Sequence, residues 1–161
     1  MATQRNNLSN YDNTSIADAT DYKIGIVISE WNSQVTKCLL EGVLHTLKNF
    51  GVHSNNIVVQ YVPGSFELIF GAKKLQTTAV DAVIAVGCII QGETKHFDYV
   101  CQGVTQGIKD LNVLYDTPVI FCVLTDSNLQ QSLDRSGGKY GNKGVEAAVT
   151  ALKMVALNKS L

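Results

Sequence analysis

The run from Ala82 to Ile90 (AVIAVGCII) has no polar residue at any alternate position. A strand that is apolar on both faces belongs inside a parallel sheet covered by helices on either side. The run breaks at Gln91-Gly92-Glu93-Thr94-Lys95, and then Val100, Val104, Ile108 and Leu111 recur on one helical face. A loop between the carboxyl end of a parallel strand and the amino end of a helix is where α/β domains carry their ligands. Free backbone N–H groups at that helix start favour an anion. His96 stands at the same point, and imidazole is the side chain best suited to moving protons near neutral pH. An anion site beside a proton carrier implies an enzyme that handles a phosphorylated metabolite.

The flanking chain alternates strand and helix. Tyr22 to Ser29 reads as a buried strand, and Ser33 to Phe50 as a helix with Val35, Leu39, Val43 and Leu47 facing inward. Ile57 to Val62 is a strand ended by Pro63-Gly64, and Ser65 to Gln76 a helix through Leu68, Ala72 and Leu75. Pro118 to Thr125 makes the fourth strand. Ser127 and Gln130 form a capping box that opens a short helix to Ser136, which Gly137-Gly138 stops. A last helix runs from about Val145 to Leu157, packing through Ala148, Leu152 and Val155. Short loops between alternating elements mean βαβ units, so the fold class is α/β: a three-layer αβα sandwich on a four-stranded parallel sheet, flavodoxin-like. There is no internal repeat or linker, so residues 22–161 form one domain. Residues 1–21, rich in Asn, Thr, Ser and Asp, read as a mobile polar arm, which a neighbouring subunit could order.

At 161 residues the chain can bury a real core. Its net charge of -1 gives no support for nucleic-acid or anionic-membrane binding. Charged residues make up 17 % and hydrophobic residues 45 %, a balance that leaves a monomer short of charge to cover its surface. Burial between subunits is the expected remedy, because obligate interfaces resemble a domain core cut in half. No stretch has the length of a transmembrane span or the layout of a signal peptide, which points to a cytoplasmic protein. Cys38, Cys88, Cys101 and Cys122 show no C-x-x-C spacing and no histidine at a zinc-ligand interval, so they read as small buried hydrophobes in a reduced compartment, with no metal site. His45, within a helix, and His53, in a turn, are expected to face solvent.

The usual phosphate motifs are absent. Neither G-x-x-x-x-G-K-[ST] nor a G-x-G-x-x-G after the first strand occurs. The first strand-end loop, Glu30-Trp31-Asn32-Ser33, lacks the Ser/Thr/Gly-rich cradle of a flavodoxin, and no acidic cluster marks a phospho-receiver domain. Four segments instead resemble, in order and spacing, the signatures of the 6,7-dimethyl-8-ribityllumazine synthase family. They are VPGSFEL (Val62 to Leu68), GCIIQGETKHFDYV (Gly87 to Val100), PVIFCVLT (Pro118 to Thr125) and DRSGGKYGNKG (Asp134 to Gly144). The resemblance covers roughly Tyr22 to the C-terminus.

That resemblance implies a cofactor-free condensation of 5-amino-6-(D-ribitylamino)uracil with 3,4-dihydroxy-2-butanone 4-phosphate, the penultimate step of riboflavin synthesis. It implies roles for particular residues. Trp31 takes the place of an aromatic that stacks on the pyrimidine. Ser65, Phe66 and Glu67 match the segment contacting the ribityl chain and ring. Read by themselves, Ser65 would be a helix N-cap and Glu67 a first-turn carboxylate, and both readings can hold together. Cys88, Ile89 and Ile90 match a segment whose backbone meets the pyrimidine edge, while their side chains fit a core equally well. Glu93 and Thr94 match the positions holding the butanone phosphate, and His96 matches the proton carrier. Phe121 and Arg135 match residues donated by a neighbouring subunit, to the ring and the phosphate respectively. Alone, Arg135 would also suit the helix dipole as a last-turn cation. Lys143 could add charge near the phosphate, and ranks below Arg135.

Two positions depart from the family pattern. Glu93 stands where a small residue is usual, so only its backbone N–H suits a phosphate. Gln91 stands where an arginine is common, which removes a positive charge from the same loop. Active sites shared between subunits imply a homo-oligomer, either pentamers or a sixty-chain shell able to enclose riboflavin synthase. Two other function classes compete: a lumazine- or flavin-binding paralogue without turnover, and a structural shell protein. The first should have lost His96 or Arg135, and the second has no need of the pocket.

Overall fold

A computed structural model describes residues 7, 9–11 and 18–161. The elements run β1 (Ile24–Ser29), α1 (Ser33–Asn49), β2 (Ile57–Val62), α2 (Leu68–Gln76), β3 (Ala82–Ile90), α3 (His96–Leu114), β4 (Val119–Asp126), α4 (Leu129–Arg135), β5 (Ser136–Gly138), β6 (Gly141–Asn142) and α5 (Lys143–Ser160). The four long strands form a parallel sheet in the order β2-β1-β3-β4. This is a three-layer α/β arrangement of the flavodoxin-like kind. Among the described residues no helix is long and apolar enough to cross a membrane.

Two cores lie on the two faces of the sheet, and strand alternation assigns residues to them. Ile24, Ile26 and Ile28 of β1, with Ala82, Ile84 and Val86 of β3, pack under α1 and α5 through Leu39, Val43, Leu47, Ala148 and Leu152. Val27, Val83, Ala85 and Ile89 face the other way, against Leu68, Ala72 and Leu75 of α2 and Val104, Ile108 and Leu111 of α3. The unbroken apolar run of β3 is thus explained: eight of its nine residues are buried. Both helical layers approach closely. A Cβ on Gly144 would collide with the backbone carbonyl of Leu39, so α5 starts against α1 only because that position is glycine.

Several expected boundaries moved for identifiable reasons. Tyr22 and Lys23 stay outside β1, because the Lys23 N–H donates to Asp81 Oδ2 at 2.7 Å instead of extending the ladder. Helix α2 begins at Leu68, not Ser65, and residues 65–67 form a tight turn in which the Leu68 and Ile69 N–H groups bond to Ser65 and Phe66 carbonyls. Ser65 is therefore no N-cap. Glu67 occupies that position, without a side-chain cap bond. The capping box of α4 is shifted by one residue. Asn128 Oδ1 accepts from Gln131 N at 3.0 Å, and Gln131 Oε1 accepts from Ser127 N at 2.9 Å.

The β5–β6 hairpin was not anticipated from the glycines that form it. Asn142 binds it to the body: its Oδ1 caps α5 through Gly144 N at 2.8 Å, and its Nδ2 donates to Cys38 O at 2.8 Å. Of the arm expected at residues 1–21, residues 1–6, 8 and 12–17 lie outside the described ones. Its end is part of the packed body, since Ala19 is fully buried in the α1/α5 core. Cys88 and Cys122 are buried, whereas Cys38 and Cys101 are only half-buried.

Candidate active site

The carboxyl ends of β1, β2 and β3 surround a cavity of about 680 Å³, within the range usual for small-molecule sites. Trp31 and Asn32 come from the loop after β1, and Gly64 to Glu67 from the turn after β2. Cys88, Ile89 and Ile90 are the end of β3, and Gly92, Thr94, His96, Phe97, Tyr99 and Val100 follow in its loop and the start of α3. Close approach of the β2–α2 turn to β3 depends on Gly87, where a Cβ would sit 2.8 Å from both Ser65 Oγ and Leu68 Cδ1.

The loops are tied to one another. Glu30 N donates to Val62 O at 2.8 Å and Trp31 N to Pro63 O at 3.2 Å, so the β1 loop continues along the β2 end. Asn32 Nδ2 donates to Cys88 O at 2.9 Å, and Ser65 Oγ approaches the same carbonyl at 3.5 Å. Above this floor the rings are open to solvent, with Trp31 72 % and Phe66 53 % exposed.

His96 is the first residue of α3, a 19-residue helix whose amino end faces the cavity. Its backbone N–H bonds to Thr94 Oγ1 at 3.3 Å, which leaves the threonine O–H free to donate to a ligand. The aligned dipoles and free N–H groups of the helix start suit an anion. Glu93 is exposed and does not line the cavity. His45 and His53 are exposed far from it in the sequence, and His45 bonds to Asn49 on its own helix. Burial pushes the Cys88 thiol up, opposed by its contact with Ser132 and reinforced by the Asp126 charge. A protonated thiol is a poor nucleophile, and the part of Cys88 that Asn32 and Ser65 approach is its backbone carbonyl.

Phe121, Arg135 and Lys143 do not line this cavity. Phe121 lies in a separate hollow with Asp98, Gln102, Thr105 and Thr125, between α3 and β4. Arg135 Nη1 donates to Gln131 O at 2.9 Å and lies 3.8 Å from Asp126 Oδ1, while its guanidinium covers the Tyr140 ring at 5.2 Å. Asp126 is itself held by the Ser132 hydroxyl at 2.8 Å. Lys143 is paired with Glu146 at 2.6 Å. Asn32, Phe97, Tyr99 and Val100 line the pocket although the sequence did not mark them as site residues. Phe97, Tyr99 and Val100 were legible as part of the HFDYV block, but Asn32 carried no signal beyond a polar residue before a helix. Among the described residues, no group of three His, Cys, Asp or Glu side chains comes together as a metal site.

A strand-end cavity with a helix amino terminus, a histidine at that terminus and aromatic rings over an apolar floor has the form of a small-molecule site of an α/β protein. Residues 21–159 match the sequence family described as 6,7-dimethyl-8-ribityllumazine synthase. A protein of that name from Flavobacterium johnsoniae is 61% identical over 160 residues, covering 99% of this chain and 84% of the relative. Its namesakes from Christiangramia forsetii and Parabacteroides distasonis are each 60% identical, over 161 and 156 residues, covering 99% and 96% of this chain and 96% and 98% of their own. The chain belongs to the 6,7-dimethyl-8-ribityllumazine synthase family.

Proposed function

We propose that the cavity at the ends of β1, β2 and β3 condenses 5-amino-6-(D-ribitylamino)uracil with 3,4-dihydroxy-2-butanone 4-phosphate to 6,7-dimethyl-8-ribityllumazine. The free amine of the pyrimidine attacks the ketone, and loss of water leaves an imine. Elimination expels inorganic phosphate, and ring closure with loss of a second water completes the product. Each step moves protons and one releases an anion, so positioning, proton transfer and an anion clamp suffice. No cofactor is required.

The observation carrying this reading is that one cavity gathers Trp31, Ser65, Phe66, Glu67, the end of β3, Thr94 and His96, in a chain of this family. Trp31 covers the pyrimidine ring, whose edge meets the backbone of Cys88, Ile89 and Ile90. The turn from Ser65 to Glu67 receives the ribityl chain. The phosphate sits at the start of α3, on the N–H groups around Glu93 and on Thr94. His96 accepts a proton during imine formation and returns one to the departing phosphate.

Phe121 and Arg135 act on the cavity of a neighbouring subunit. Both lie away from their own cavity, and an arginine fork matches phosphate geometry. Lys143 has a second-rank role, since Glu146 already neutralises it. The assembly is a pentamer, with the sixty-chain shell around riboflavin synthase as its larger form, in the cytoplasm. Mixing the purified chain with both substrates and following the lumazine absorbance tests the reaction, and no product would refute it. Sedimentation of the active protein tests the sharing of sites, which a fully active monomer would refute.

A further inference from the structure

Among the described residues, Asn32 is the only non-glycine with positive φ (φ 57°, ψ 42°). Asparagine tolerates this region better than most residues. An Asn in front of a helix, however, usually has extended backbone and accepts from a first-turn N–H. Here the side chain makes no cap bond. The Asn32 carbonyl takes the Val35 and Thr36 N–H groups, at 2.9 and 3.1 Å. The amide turns the other way and donates to Cys88 O at 2.9 Å, the carbonyl that Ser65 Oγ also approaches. The loops after β1 and β2 thus meet at one acceptor, a carbonyl of β3 in the pocket floor.

Trp31 immediately precedes this residue. Its N–H is held by Pro63 O at 3.2 Å and its carbonyl by Ser29 Oγ at 3.4 Å. Its ring is 72 % exposed, so the backbone, more than packing, determines where the ring stands. The Asn32 backbone caps the helix through its carbonyl, while its side chain is engaged at the pocket floor and not at the helix.

We infer that Asn32 is a positioning residue for pyrimidine binding: by tying its loop to the Cys88 carbonyl, it sets the height and tilt of the Trp31 ring above the floor. This rests on the reading of Trp31 as the ring that covers the pyrimidine. A slack loop would have to be ordered when the ligand binds, and that cost falls on pyrimidine affinity while leaving the phosphate site alone.

Asn32→Gly removes the amide and keeps the left-handed φ without steric cost, but it also loosens the backbone, so it is read together with Asn32→Asp. Asn32→Asp keeps the shape but sets a carboxylate oxygen against a carbonyl. Trp31 is the chain's single tryptophan, so intrinsic fluorescence reads the loop directly. In the ligand-free Gly variant, tryptophan anisotropy should fall. The KM for the pyrimidine should rise about 3- to 10-fold, the loss expected for one neutral hydrogen bond. The KM for the phosphorylated ketone should stay put, and the Asp variant should lose more pyrimidine affinity. Unchanged anisotropy and unchanged pyrimidine KM in Asn32→Gly would overturn the inference. So would an equal rise in both KM values with a lower melting temperature, which marks general packing. Trp31→Ala serves as the control: a wild-type pyrimidine KM there defeats the stacking reading itself, whereas a large effect there and none in Asn32→Gly defeats only the role of Asn32.

Discussion

The residues around the cavity and the residues on the β4–α4–α5 side differ in what holds them. Trp31, Ser65 and the end of β3 sit on loops bonded to one another through the Val62, Pro63 and Cys88 carbonyls. Arg135 is held by its own neighbourhood, the Gln131 carbonyl, Asp126 and the Tyr140 ring, and Lys143 by Glu146. The two sides touch beneath the floor, where Cys88 Sγ meets Ser132 Oγ at 3.4 Å, but neither Arg135 nor Lys143 lines the cavity of its own chain. The first group forms a floor and a half-open wall, and the second presents a cation and an exposed ring to the outside. Under the proposed function these two regions are parts of sites shared between subunits, so variants on the two sides should fail in different ways.

The largest expected effect lies on the cavity side. Replacing His96 by Ala should lower kcat by about 10²- to 10⁴-fold, the usual span for a lost acid–base group, while a pyrimidine analogue still binds. Wild-type kcat from pH 6 to 9 would make His96 a helix-start residue only, with the substrate phosphate carrying its own protons. The other side should respond differently. Arg135→Ala removes a charge-assisted fork of about 2 to 3 kcal/mol, hence a rise of about 30- to 150-fold in KM for the phosphorylated ketone. Pyrimidine binding should barely change. Co-assembly of Arg135→Ala with Trp31→Ala sharpens the comparison further. Sites built from two chains would regain part of the activity in mixed oligomers, and sites built within one chain would regain none.

The smallest effect concerns stability on the α5 side. Burial raises the Cys122 thiol from 9.0 to about 12, with the Lys143 charge opposing and Glu146 adding to the shift. The folded chain therefore keeps this proton where the unfolded chain has lost it. Stability is complete below about pH 9 and declines as pH rises towards 12, by at most about 1.4 kcal/mol per pH unit. Cys122→Ala should flatten that decline in denaturant titrations at pH 8, 9.5 and 10.5. Parallel losses in variant and wild type would assign the alkaline instability to other groups.

Much of the fold was legible because strand and helix leave local periodicities. The buried run at β3, the helical spacing of α1 and α3, and the four-strand alternation all follow from which faces must leave water. The cavity was legible in part, since a strand-end loop followed by a histidine-headed helix is a local pattern too. The turn at Ser65 was not. Its hydroxyl could have capped a helix, but folding brings the Cys88 carbonyl within reach, and the helix starts three residues later. Asn32 depends on the same distant carbonyl, whereas the one-residue shift at Asn128 is a choice between neighbouring local caps.

The sequence by itself determined the order of elements, the two-sided burial of the central strand, the family, and the identity of the groups able to stack, hold an anion or move a proton. Those properties reside in side-chain chemistry and in short-range repetition of apolar residues. The tertiary structure decided which loops share the Cys88 carbonyl, which way the Asn32 amide turns, that Ser136 pairs with Asn142 and Gly138 with Gly141 in a hairpin, and that Arg135 leans on Asp126 away from its own cavity. Each is a competition between nearby and distant partners for the same donor or acceptor. Such a competition is settled only when packing brings the distant partner to hydrogen-bonding range.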